Sequence, residues 1–266
     1  MVLCLTLGGV CISGASVNAQ SAPPPVASDS PGRHAVTTAE DAPADSVRHE
    51  PVADELEFPV PLGSFTTTLH GSLAARTVNV RLAATALDGA IIEPGEVLSF
   101  NQRVGPRTVG RGYQPAPVIL HETRQVQTGG GVCQVASTVF IAGLLSGLGV
   151  SERWRHSSPV DYIALGEDAT IAWGAKDLKL RNDTGQRLRL RVSVIGAALS
   201  AHFEGVESLA EEFDLAREER EVPGDDDSGA PGHEVTLLRI RRNNGEESRE
   251  VVHRDVIPAQ RSRESR

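Results

Sequence analysis

The chain has 266 residues, three cysteines and a net charge of −9, with aromatic residues at only 4%. That charge argues against phosphate-backbone binding, which needs clustered Lys and Arg, so nucleic acid is excluded as an expected partner. The few aromatics mean that any core must be built from Val, Leu, Ile and Ala, which suits one compact domain with polar flanks.

Residues 1–19 form an apolar stretch that ends in Val17-Asn18-Ala19, the pattern of a secretory signal cleaved before Gln20. The usual basic n-region is missing, which fits a start assigned too late. The expectation is export to the periplasm or cell surface, with membrane attachment only through an uncleaved signal. Removing the segment takes Cys4 and Cys11 with it and leaves Cys133 alone.

Residues 20–56 are rich in Pro, Ala, Ser, Asp and Glu and read as a disordered linker. A folded domain is expected over 57–205. Within it, 62–68 reads as extended, Arg76 to Asp88 as a helix closed by Gly89, and Val97 to Phe100 as a short strand. Ala116–Leu120 and Gln125–Gln127 are expected to pair. A largely apolar helix runs from Cys133 to Leu145, and strands are predicted at Val160–Ile163, Ala169–Trp173, Leu178–Arg181 and Arg187–Val194. Strict alternation places Leu188, Leu190 and Val192 in the core and Arg187, Arg189 and Arg191 toward solvent. Residues 206–232 read as an acidic linker, 233–257 as a C-terminal hairpin turning at Asn243-Asn244-Gly245, and 258–266 as a polar tail. The fold class is α+β: an antiparallel sheet packed on a central buried helix that begins at a Gly-Gly-Gly-x-Cys loop, with that hairpin appended.

Gly129-Gly130-Gly131-Val132-Cys133 is the most informative local pattern. Glycines permit close backbone approach and positive φ. A helix N-terminus stabilises a thiolate, and its N–H groups suit an oxyanion, with Gln134 as a further donor. A thiolate nucleophile needs a base and an orienter: His156 follows, then Asp168, with Asp177 an equal candidate for the third place. The competing reading makes Cys133 a packed core residue, His156 a structural histidine and Asp168 a turn residue. A metal site from Cys133, His156 and His121 lacks any short-spaced ligand pair, so no metal is expected. No phosphate loop or dinucleotide fingerprint is present, and no cofactor is expected.

Pro94-Gly95-Glu96 with Ser99-Phe100-Asn101, Val104-Gly105-Pro106-Arg107, Gly112-Tyr113, the glycine-cysteine loop, Ser137-Thr138, His156-Ser157, Asp168-Ala169-Thr170 and Asn182-Asp183-Thr184-Gly185 together resemble the VanW family. The resemblance runs from Leu62 to Gly205. It implies an exported or membrane-anchored envelope protein from a family named for a gene in some vancomycin-resistance clusters, with no established reaction. Many members carry extra N-terminal domains of a peptidoglycan-binding type, for which 20–56 are too short and too polar. Two functions stay open. One is a cysteine-dependent enzyme on peptide or amide bonds of peptidoglycan, using Cys133, His156 and Asp168 or Asp177. The other is a noncatalytic module that binds peptidoglycan, its precursors or an envelope partner through Gly129, Gly130, Gly131 and Gln134, with Arg107 or Arg111 holding a carboxylate.

Overall fold

A computed structural model describes residues 57–69, 74–120, 123–223 and 231–258. The expected signal, the 20–56 linker, His121 and residues 259–266 of the tail lie outside these.

The class is α+β, and every strand pairing is antiparallel. In chain order the described elements are β1 (Val60–Thr68), α1 (Ala74–Leu87), β2 (Ala90–Ile92), β3 (Val97–Ser99), α2 (Phe100–Val104), β4 (Pro115–Leu120), β5 (Thr123–Thr128), α3 (Val132–Leu145), β6 (Gly149–Glu152), β7 (Lys179–Arg181), β8 (Leu188–Ile195), β9 (Ala198–Gly205), β10 (Glu212–Val222), β11 (Gly232–Asn243) and β12 (Glu246–Ile257). They form a four-stranded sheet β1-β9-β8-β2, three-stranded sheets β3-β7-β6 and β10-β11-β12, and the hairpin β4-β5.

Helix α3 touches β1, β9, β10, β6 and α1. Its sequence is apolar on all faces, as a helix enclosed by other elements must be. All of its residues except Cys133 and Leu145 are buried. Phe100, Phe140, Phe203, Leu148, Leu180 and Leu190 fill the core around it.

The alternation in β8 is partly realised. Leu188, Leu190 and Val192 are buried, and Arg187 and Arg191 reach solvent. Arg189 does not: it is 3% exposed. Its Nε donates to Glu204 on β9 at 2.6 Å, and its guanidinium lies 5.1 Å from the Phe58 ring centre. The segment before β1 covers this face, which a strand pattern alone does not reveal.

Three other expectations change. Val160–Ile163 and Ala169–Trp173 are not strands; the stretch from Arg153 to Asp177 is irregular apart from one bridge between Ala172 and Lys176. Its backbone is satisfied by other groups, with Ala169 N–H donating to Ser137 Oγ at 2.9 Å and Thr170 N–H to the Trp154 carbonyl at 2.7 Å. The expected 206–232 linker contains strand β10, so the C-terminal hairpin is a three-stranded sheet. Only Phe213, Leu215 and Ala216 of its first half turn partly inward, a short apolar signal among many charges. The turn itself forms as expected: Asn244 and Gly245 have φ of 51° and 85°, the positive values of a tight hairpin turn.

At the other end of α3, β1 bulges and brings Gly63 onto the helix terminus. Gly63 N–H donates to Ser146 Oγ at 2.9 Å, and a Cβ there would lie 2.4 Å from the Leu145 carbonyl carbon. Backbone cannot yield as a side chain tip can. Gly63→Ala is therefore expected to cost about 1–3 kcal/mol, the range for overpacking, read as a lower urea midpoint in chemical denaturation.

Candidate functional site

The glycine loop is shaped by what crosses it. A Cβ at Gly130 would meet the Ala116 carbonyl oxygen at 2.5 Å, so β4 lies directly on this loop. At Gly129 a Cβ would meet the Arg107 stem at 2.8 Å, and at Gly131 the Arg76 stem at 2.8 Å. Gly129 and Gly131 also have φ of 89° and 103°, which L side chains rarely adopt. Buried Asn79 on α1 pins the loop, its Nδ2 donating to the Gly130 carbonyl at 3.0 Å and to the Gln114 carbonyl at 2.8 Å.

Gly131 is the N-cap of α3, which puts Cys133 in the first turn. The Val132 and Gln134 N–H groups turn back onto the Gly129 and Gly131 carbonyls at 3.3 and 3.0 Å. The Gln134 side chain is 1% exposed and points inward. Its Nε2 donates to Thr67 Oγ1 and the Thr68 carbonyl, and its Oε1 accepts from Arg76 Nη2 at 2.7 Å. Those contacts anchor α3 to β1 and leave Gln134 facing away from solvent.

Cys133 Sγ lies 3.7 Å from the Ile171 carbonyl oxygen, and the His156 imidazole is near enough to act on the thiol's charge. The imidazole is held by Asp168: Nδ1 is 2.6 Å from Oδ2, which also accepts from the His156 backbone N–H at 2.7 Å. The structure thus brings Cys133, His156 and Asp168 together. Asp177 goes elsewhere, accepting from Ser99 Oγ at 2.5 Å and from the Asn101 and Leu178 N–H groups at 2.8 and 2.9 Å.

Burial opposes charge on His156, yet the hydrogen bonds to Asp168 and Cys133 outweigh it and raise its pKa to about 9. Burial likewise pushes the Cys133 thiol up, but the hydrogen bond and charge of His156, the Ile171 backbone and Arg107 bring it below its ordinary value. Asp168, despite burial, is held below the usual carboxylate range by His156 and Arg153. All three shifts stabilise a thiolate facing an imidazolium.

Three supporting groups, Arg153, Asp255 and Tyr162, carry no signal in the sequence. Arg153 donates through Nη2 to Asp168 Oδ1 at 2.8 Å, through Nε to the Asp168 carbonyl at 2.7 Å, and through Nη1 to Asp255 Oδ2 at 2.6 Å. Asp255 lies on β12, so the C-terminal sheet reaches the group that orients His156. Tyr162 stands edge-on to His156, ring centres 6.5 Å apart, with its hydroxyl 3.5 Å from Ser137 Oγ. Arg107 donates from Nη1 to Asn101 Oδ1 at 2.7 Å and to the Gly105 carbonyl at 3.0 Å. Arg111 is exposed and stretches along Gly105. A shallow pocket beside the triad is lined by His156, Asp168, Pro159, Ile163, Asp255 and Ile257, among others.

Residues 75–203, which include α1, the glycine loop, Cys133, His156 and Asp168, match the family model described as VanW like protein. Over these residues the chain carries a VanW-like domain. Among known relatives, the uncharacterized protein YoaR of Bacillus subtilis is 38% identical over 138 residues, covering 52% of this chain and 46% of its own length. The Vancomycin B-type resistance protein VanW of Enterococcus faecalis is 33% identical over 114 residues, 41% of this chain and 42% of its own. The matched segment thus covers less than half of either relative. No solved structure matches. In this VanW-like domain the site draws on elements beyond the family match, Thr67 and Thr68 of β1 on one side and Asp255 of β12 on the other. No helix among the described residues is long and apolar enough to cross a membrane, and no group of three His, Cys, Asp or Glu side chains there is disposed to hold a metal.

Two expectations follow from the geometry. Asp168→Asn removes the anion that offsets burial, so the His156 pKa is expected to fall from about 9 to its ordinary value of about 6.5 or below, as followed by imidazole NMR titration. In the intact protein the His156 contribution to stability is fully present below about 6.5 and lost as pH rises through the folded value. Arg153→Met leaves Asp168 and Asp255 as buried carboxylates without their shared cation. A loss of about 3–5 kcal/mol is expected, measured by denaturant titration at neutral pH.

Proposed function

We propose that this protein is a cysteine-dependent enzyme that cleaves or transfers peptide or amide bonds, with Cys133 as nucleophile, His156 as acid and base, and Asp168 as the orienting carboxylate. One observation carries the reading: Asp168 Oδ2 holds His156 at Nδ1, 2.6 Å away, with the imidazole near enough to Cys133 to act on its thiol, an arrangement suited to nucleophilic catalysis.

The reaction follows from the protonation states. The Cys133 thiolate attacks the substrate carbonyl carbon, forming an S–C bond and a tetrahedral oxyanion. Collapse of that adduct breaks the C–N bond, and the His156 imidazolium gives its proton to the departing amine. Neutral His156 then takes a proton from water, whose oxygen attacks the thioester; the acid leaves and the thiolate–imidazolium pair is restored. An amine in place of water makes the same sequence a transfer. Asp168 stays ionised, fixing the ring and its charge.

The substrates we assign are peptides of peptidoglycan or its precursors, acted on outside the cytoplasmic membrane. Support comes from the apolar 1–19 segment ending in a cleavage pattern and from the relative named as a vancomycin resistance protein. A noncatalytic binding module is the alternative, and the thiol decides between them. In the folded protein, Cys133 is expected to alkylate with neutral iodoacetamide well below the ordinary thiol pKa of about 8.5, with His156→Ala moving the profile to higher pH. Labelling that begins only on denaturation would remove the enzyme reading.

A further inference from the structure

We propose that Arg107 forms a subsite beside Cys133 for a carboxylate carried by the substrate next to the scissile amide. The proposal rests on Cys133 being the nucleophile and narrows the substrate class to peptides with an anionic group near the cleaved bond.

Arg107 is built in place rather than left to sample solvent. Both of its hydrogen bonds use Nη1, and the Asn101 side chain that receives one is itself tied down, its Nδ2 donating to the Lys176 carbonyl at 2.8 Å and its N–H to Asp177 at 2.8 Å. The stem lies against Gly129, and the guanidinium sits 6.0 Å from the Trp173 ring centre. Trp173 is two residues beyond Ile171, whose carbonyl lies beside Sγ. The glycine loop and the Ile171–Trp173 segment therefore bring the guanidinium near enough to Cys133 for its charge to help hold the thiol below its ordinary value. Trp173 is 54% exposed and offers an aromatic wall to the ligand.

The charge of Arg107 meets no ion-pair partner among the described residues. Buried Arg153, Arg189 and Arg239 each face a carboxylate within 3 Å. Half-buried Arg107 does not, and the nearby Asp177 is occupied by Ser99, Asn101 and Leu178. Arg76, the other arginine crossing the loop, is committed to Gln134 and faces the Tyr162 ring. Arg107 keeps Nε and Nη2 out of its own seating contacts, the two donors of a side-on fork for a carboxylate.

The test compares two alkylating reagents of nearly equal size and opposite character, anionic iodoacetate and neutral iodoacetamide. Their rate ratio on Cys133 is measured against the same ratio on free cysteine at the same pH and salt. A ratio raised about tenfold in favour of iodoacetate is expected, lost in Arg107→Gln and kept in Arg111→Gln. Arg107→Lys, which keeps the charge without the fork, is expected to fall between; if the Gln variant does not fold, this variant decides. Protection by acetyl-dialanine with a free C-terminus, against acetyl-glutamate amide, separates a terminal carboxylate from an acidic side chain as its source. Equal ratios in protein and free cysteine, or no change in either Arg107 variant while both reagents still label, would overturn the subsite and leave the nucleophile standing. Failure of both reagents to label the folded protein would sink the nucleophile and the subsite together.

Discussion

Near-complete enclosure of one helix is the constraint on which the site depends. Because α3 is apolar on every face, its neighbours close around it, and the polar groups of its first turn must find fixed partners inside the protein. Asn79, Thr67 and Arg76 supply them. The loop feeding the helix then has backbone or side-chain stems against all three glycines. Cys133 is the one residue of that first turn left partly open, and the fold spends its remaining polar groups around it.

Two polar networks meet there with different tasks. One runs from Asp255 through Arg153 and Asp168 to His156 and sets the charge and direction of the imidazole. The other runs from Asp177 through Asn101 to Arg107 and sets a cation near Cys133. Each begins with a carboxylate, and neither is local in sequence. Their separation explains why two aspartates with similar sequence surroundings do different work: Asp168 faces the histidine, and Asp177 caps the turn that carries Asn101.

The irregular stretch from Arg153 to Asp177 belongs to this arrangement. A regular strand would have directed its N–H groups to a neighbouring strand; here they go to Ser137, Asp168 and Trp154, and the chain can wrap the first turns of α3. Apolar runs such as Val160–Ile163 carry a strand signal for burial, not for pairing. The third strand of the C-terminal sheet was hidden for the converse reason. Strand β10 is covered on one face for only part of its length, so charge dominates its composition and only backbone pairing with β11 makes it a strand.

What the sequence determined by itself was what local chemistry dictates: the α+β class, the buried helix and its glycine start, the hairpin turn at Asn244-Gly245, and a cysteine, a histidine and an aspartate whose types suit one reaction. It left Asp168 and Asp177 level, because each sits at a turn beside apolar residues and nothing local says which way a carboxylate points. Tertiary structure alone made that choice, as it alone buried Arg189 beneath Phe58 and brought Arg153 to Asp255 across 102 residues of chain. The reason is the same in each case: a charge is placed by whatever compensates its lost hydration, and here the compensating partner comes from a distant strand or loop.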